Sequence, residues 1–207
     1  AFGPDGYLYI TTGDAGVSER AQDKNSLAGK LLRLTDDGSI PPENPFGTAV
    51  YSYGHRNSQG LCWDEQGRLW ATEHGRSGVG NSGYDELNRI EPGVNYGWPV
   101  VQGPEEKSGM RASVVQSGAD ETWAPAGAAC AGSSVFFAGL RGESLYEAAV
   151  GEDGTVSLRA HLREAFGRLR AVVIGPDGAF YISTSNQDGR GSAQDGDDKI
   201  IRIPLSV

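Results

Sequence analysis

Two arginines set two residues apart, Arg168 and Arg170 in Gly167-Arg-Leu-Arg170, are the first candidates for chemistry. On a strand, residues i and i+2 share a face, and two guanidiniums on one face repel unless an anion sits between them. Alone, the pair reads as well as a solvated basic strand face. A third arginine shifts that balance. Arg56 lies in Tyr53-Gly-His-Arg-Asn-Ser-Gln-Gly-Leu61, directly before a strand-like run, as the other two do. Its forked, permanently charged guanidinium suits carboxylates, and Asn57 adds a donor and an acceptor. Three arginines at equivalent starts of a repeated unit point to a polyanionic ligand.

Two further stretches offer oxygen to a cation. Thr72-Glu-His-Gly-Arg76 opens a Gly- and Ser-rich run at 77–83. Backbone carbonyls there suit Ca2+, a hard cation that takes six to eight oxygens. Tyr84-Asp-Glu-Leu-Asn-Arg-Ile-Glu-Pro-Gly-Val-Asn-Tyr-Gly-Trp-Pro99 places acidic residues ahead of a strand and an Asn-rich turn behind it. It could serve a second Ca2+, although acidic loops are commonly just solvated. Its Asn95–Pro99 cluster is too apolar for an exposed loop and should pack at an edge of the fold. His74 has no second His or Cys nearby and reads as structural. No GxSxG, Walker or HExxH pattern occurs, and no GxGxxG directly after a strand.

These segments hang on a repeated hairpin. Phe2–Asp14, Leu61–Glu73 and Val173–Ser185 each read as a strand, a tight turn with Gly at 6, 67 or 178, and an aromatic, β-branched strand. The spacing implies a repeat of about 55 residues with one degenerate copy between Gly67 and Gly178, best placed at Ser133–Ala138. Outer strands are expected at Lys30–Leu34, Glu86–Ile90, Ser144–Glu147 and Lys199–Ile203. Only Glu143–Val150 and His161–Phe166 are candidate helices, both short. About four strands per repeat make a propeller blade, and 207 residues supply just under four. The expected fold is therefore all-β: a β-propeller of the six-bladed type, an incomplete ring of about four blades in one domain spanning 1–207. The chain begins without Met inside a copy of the repeat, which reads as an N-terminally truncated fragment.

Composition narrows the partners. Net charge is −9, which argues against nucleic acid and anionic membranes. No apolar run reaches the roughly 18 residues of a transmembrane helix. The 31 glycines fit many tight turns. Cys62 and Cys130 form no metal pattern; two buried thiols are the preferred reading and a disulfide the alternative.

Taken together, Phe2–Asp14, Gly29-Lys-Leu-Leu-Arg33, Gly54-His-Arg-Asn57, Glu73-His-Gly75, Asp85-Glu-Leu-Asn88, Asn95–Pro99, Gly167–Arg170 and Gly175–Gly178 resemble the soluble PQQ-dependent aldose, glucose and sorbosone dehydrogenases. The resemblance implies an oxidoreductase that oxidises the C1 hydroxyl of an aldose to a lactone, passing hydride to Ca2+-bound PQQ and electrons on to an external quinone or cytochrome. Arg56, Asn57, Arg168 and Arg170 match its cofactor-binding residues, and Arg141 falls where relatives often carry a cofactor Lys. Gly75 and Arg76 match the backbone carbonyls on the cofactor's Ca2+; many relatives have Pro in place of Arg76. Glu86 and Tyr96 match a structural Ca2+ site. The general-base His would lie just upstream of Phe2, so the fragment alone should be inactive, and none of His55, His74 and His161 should replace it. Family membership suggests a periplasmic or secreted protein. The competing readings are a Ca2+-dependent lactonase, which needs no channel arginines, and a non-catalytic binding propeller.

Overall fold

The computed structural model describes residues 1–77 and 83–204. Fourteen strands form four antiparallel sheets, each running in chain order. The first holds β1 (Leu8–Thr12), β2 (Lys30–Leu34) and β3 (Val50–Tyr53). The second holds β4 (Ser58–Trp63), β5 (Leu69–Glu73), β6 (Glu86–Ile90) and β7 (Val115–Gln116). The third holds β8 (Pro125–Ala131), β9 (Ser134–Gly139), β10 (Ser144–Val150) and β11 (Val156–His161). The fourth holds β12 (Leu169–Ile174), β13 (Phe180–Thr184) and β14 (Ile200–Ile203). Among the described residues the only helical piece is a 3-10 turn, Ser18–Ala21.

The sheets are blades of a propeller. The leading strands β4, β8 and β12 pack side by side, and β1 touches β4. A core fills each seam. Tyr9, Leu31, Leu69 and Tyr96 lie between the first two blades. Trp70, Leu87, Trp123, Phe137 and Tyr146 lie between the second and third. Leu169, Val172, Phe180 and Ile182 join the third to the fourth. The seams are tight because a leading strand carries Gly where its neighbour crosses. A Cβ on Gly60 would collide with the backbone of Ala126 and Ala128.

The hairpin turns follow their sequence. Asp64 Oδ1 accepts from the Gln66 and Arg68 amides at 3.0 and 2.9 Å, and Gly67 takes φ +73°. The degenerate copy is the β8–β9 hairpin, whose turn is at Gly132, φ +56°. Three expectations are corrected. Residues 143–150 are not helical: Glu143 is left-handed at φ 44°, and β10 pairs with β9 and β11 on its two edges. Residues 161–166 close a turn in which Leu162 and Glu164 are left-handed. Nor are the cysteines free thiols. The close approach of β4 and β8 brings Cys62 and Cys130 to a Cα separation of 5.6 Å, joined as a disulfide across the second and third blades.

Candidate cofactor site

Arg56 and Asn57 sit immediately before β4, and a buried network fixes them there. His55 is fully buried, stacked on Tyr96 at 4.8 Å, with Nε2 on Ser52 Oγ and Nδ1 on Glu73 Oε2, each 2.8 Å. Glu73, the last residue of β5, also accepts from the Arg56 amide and from Ser58 Oγ. Burial works against its charge, but His55 and these donors hold its pKa below the ordinary value. The pair contributes little net stability once desolvation is counted; what it supplies is a fixed backbone at Arg56. The Arg56 guanidinium donates to Ser77 Oγ at 2.7 Å and, with Arg76, lies over Trp98, 5.6 Å from the ring centre in both cases. Trp98 is held by Asp14, which accepts from its indole N–H at 2.9 Å.

Beside this network, at the ends where β5 exits and β8 and β12 begin, lies a cleft of about 370 Å3. Arg76, Arg141, Arg168 and Arg190 line it, together with His74, Gly75 and Asp85. Its size falls at the lower end for small-molecule sites. Arg56 lines an adjoining pocket that shares His74 and Gly75. Arg170 is absent from either wall. The anion expected between Arg168 and Arg170 comes from the chain itself. Asp188 accepts from Arg168 Nη2 at 2.8 Å and lies 3.5 Å from Arg170 Nη2. Arg168 and the neighbouring amides hold the Asp188 carboxyl down at about 2. Arg168 is 8% exposed and also donates to the Leu140 carbonyl; Arg170 is exposed. A register shift between Leu169 and Ala171, where Arg170 lies, breaks the simple i, i+2 relation.

The adjoining pocket is only about 20 Å3, enough for a single ion or water. Glu73, Glu86, Tyr96 and Gln102 line it. Burial, and then the charge of Glu73, push the Glu86 carboxyl up to about 8. Asn88 Nδ2 donates to Glu86 at 3.0 Å, while Asn88 Oδ1 and Gln102 Oε1 are buried without partners among the described residues. Repelling carboxylates beside unpartnered acceptor oxygens fit a hard cation. The Tyr96 phenol is committed elsewhere, donating to the Arg89 carbonyl at 2.6 Å, so any ligation by Tyr96 falls to its carbonyl. Among the described residues no three His, Cys, Asp or Glu side chains form a ready metal cluster; a cation here depends on carbonyl and amide oxygens. The Gly- and Ser-rich run at 77–83, expected to offer carbonyls to the other Ca2+, falls largely at 78–82, outside the described residues.

Comparison with known proteins decides the family. The pattern described as Glucose / Sorbosone dehydrogenase matches residues 1–193. The chain belongs to the glucose/sorbosone dehydrogenase family. Among this family's structures, the PQQ-bound form of aldose sugar dehydrogenase from Streptomyces coelicolor superposes with a TM-score of 0.89 at 47% identity, over 98% of this chain and 59% of that one. Aldose sugar dehydrogenase YliI of Escherichia coli K12 is 32% identical, over 91% of this chain and 56% of its own length. Quinoprotein glucose dehydrogenase B of Acinetobacter calcoaceticus is 38% identical over 52% of this chain and 26% of its own. The chain thus spans little more than half of the longer-matching relatives.

A second cleft of about 380 Å3 lies at the opposite, turn-bearing ends of the first two blades. Its arginines, Arg33, Arg68 and Arg89, are already paired with Asp5, Asp64 and Glu91, and the candidate residues are all elsewhere. Sequence reasoning missed Asp188 and Arg190, and reads Asp85 and Trp98 only as parts of the acidic stretch and the apolar Asn95–Pro99 cluster. Asp188 and Arg190 stand in Asn186-Gln-Asp-Gly-Arg190, which reads as an ordinary solvated turn.

Proposed function

We propose that this chain forms the cofactor-holding part of an enzyme that oxidises aldoses at C1 to lactones using PQQ and Ca2+. The observation that carries the reading is the gathering of Arg76, Arg141 and Arg168 around one cleft, with Arg56 on its adjoining wall. A lactonase would have no use for so many cations. PQQ, when bound, supplies three carboxylates and an ortho-quinone that accepts hydride, with Ca2+ polarising its reactive carbonyl.

The chain's residues bind and orient. Arg56 is held in place by Ser77 and Trp98 and, with Asn57, takes one edge of the cofactor. Arg141 and Arg168 would take the carboxylates, and Arg170, which lines neither pocket, would join them only on leaving Asp188. The Gly75 and Arg76 carbonyls hold the cofactor's Ca2+, and Glu86 with the Tyr96 carbonyl hold a structural one. Neither His55 nor His161 is placed to take a proton from a sugar. Both His55 nitrogens are engaged at zero exposure, and His161 pairs with Glu147 on the outer strand β11. His74 lines the cleft; burial lowers its pKa, Asp85 opposes the shift and Arg56 adds to it. The disulfide supports an oxidising compartment, periplasmic or extracellular, and among the described residues no helix is long and apolar enough to cross a membrane. Electrons would leave to an external quinone or cytochrome.

The test is reduction of an artificial electron-accepting dye by the full natural chain, given an aldose panel with and without PQQ and Ca2+. Reduction that requires both is expected, and Arg56→Ala should weaken PQQ binding while leaving the fold intact. A folded protein that reduces no dye, or unchanged PQQ affinity in Arg56→Ala, overturns the reading.

A further inference from the structure

Asp85 stands in the acidic stretch Tyr84–Pro99, but its spacing there gives it no role in positioning the proposed carbonyl loop. Asp85 is 2% exposed and forms part of the wall of the arginine-lined cleft. Its two carboxylate oxygens serve two different blades. Oδ1 accepts from the Gly75 amide at 2.9 Å, at the exit of β5. Oδ2 accepts from the Ala124 amide at 2.8 Å, one residue before β8. The Asp85 backbone is itself pinned: its amide donates to Ser117 Oγ at 3.0 Å and its carbonyl accepts from the Ser117 amide at 2.9 Å.

The loop has little freedom on its other side. Gly75 packs so closely on the Gly83 and Tyr84 carbonyls that no side chain fits there. Tyr84 holds a left-handed φ of 54°, and its amide donates to the Gly118 carbonyl at 2.8 Å. An amide anchored by a carboxylate oxygen fixes the plane it shares with the preceding His74 carbonyl, because charge-assisted hydrogen bonds are short and strong and the peptide unit is rigid. The Gly75 carbonyl is then two backbone rotations away, and the crowding of Gly75 against the Gly83 and Tyr84 carbonyls leaves those rotations little room. We propose that Asp85 is a positioning residue: by clamping the Gly75 amide to the start of β8, it sets the direction of the Gly75 and Arg76 carbonyls and so the affinity for Ca2+ in the cleft. The inference rests on the reading of those carbonyls as Ca2+ ligands.

An Asn at 85 keeps the shape but keeps only one acceptor, and turns an NH2 group toward the other backbone donor. Outer-shell partners of this kind change metal affinity by about 10–100-fold. The experiment follows PQQ absorbance in the full natural chain as Ca2+ is titrated, so it reads binding and not turnover. In Asp85→Asn the Ca2+ concentration for half-maximal PQQ binding should rise at least about 10-fold, while PQQ affinity at saturating Ca2+ changes much less. A lowered melting temperature with an unmoved Ca2+ midpoint means a purely structural role and overturns the proposal. If Asp85→Asn does not fold, Ser117→Ala replaces it: a raised midpoint supports the clamp, an unchanged one overturns it. Wild-type protein that binds PQQ without any need for Ca2+ would instead sink the underlying metal reading.

Discussion

Replacing Cys62 and Cys130 together by Ala should destabilise the protein substantially. The disulfide closes a loop with a sequence separation of 68 between the leading strands of the second and third blades. In the chain-entropy treatment, a loop of that length removes about 15 cal/mol/K from the unfolded ensemble, or about 4 kcal/mol at 25 °C. The surrounding Trp70, Leu87, Trp123 and Phe137 core stays, and the two missing sulfurs leave a small void that adds to the loss. For a chain of this size, 4 kcal/mol lowers the melting temperature by roughly 8–16 °C. Equilibrium urea unfolding followed by tryptophan fluorescence reads the change directly, since Trp70 and Trp123 report from that seam. The m-value should rise as well, because the unlinked denatured chain exposes more surface. A loss below about 1 kcal/mol would refute the entropic argument, and two thiols reacting with Ellman's reagent in urea without reductant would refute the bond.

Gly75→Ala should cost about 1–3 kcal/mol from overpacking, because the added methyl meets backbone carbonyls that cannot rotate away; unchanged stability and unchanged PQQ binding would show the loop to be pliable. In metal-free protein, Glu86 holds its proton to about 8, whereas the unfolded chain releases it near 4.5. The folded state therefore loses stability as pH rises across that window, and Glu86→Gln should remove this component. A wild-type-minus-variant difference in unfolding free energy that is flat from pH 5 to 9 would contradict it. Arg168→Ala should lower the melting temperature, because it strips the buried donor from the Leu140 carbonyl and from Asp188. Arg170→Ala, at 46% side-chain exposure, should leave it nearly unmoved, while both weaken PQQ binding; equal melting shifts would reject the distinction.

Much of this architecture is legible in residues 1–207. The Asp64 and Asp177 turns announce their hairpins because Asp bonds its own backbone and Gly accepts positive φ. The third copy is hard to see because its turn at Gly132 carries neither Pro nor Asp. Ser144–Val150 looks helical in isolation and becomes β10 because two neighbouring strands take its hydrogen bonds, a tertiary override of local preference. At the site, Arg56 and Arg168 stand out by type and by their place at strand starts, and Arg141 only through the family resemblance. Asp85 and Asp188 do not, since their roles depend on partners 10 to 39 and 18 to 20 residues away, and no local pattern records such distances. The disulfide is equally silent: only the close approach permitted at Gly60 brings the two cysteines together.

Asp188 gives the cleft a resident counter-charge. Arg168 and Arg170 do not wait as bare cations; each already shares a carboxylate of the same chain. An arriving anion must therefore compete, and its capture is closer to an exchange of carboxylates than to the neutralisation of an open charge. A lone chloride or acetate gains little from such an exchange. A ligand bearing several carboxylates in a rigid frame can engage Arg56, Arg141 and Arg168 together and outbid the incumbent. On the proposed reading the fold would filter by the number and spacing of negative charges, keeping its arginines aligned without drawing in every small anion of the medium.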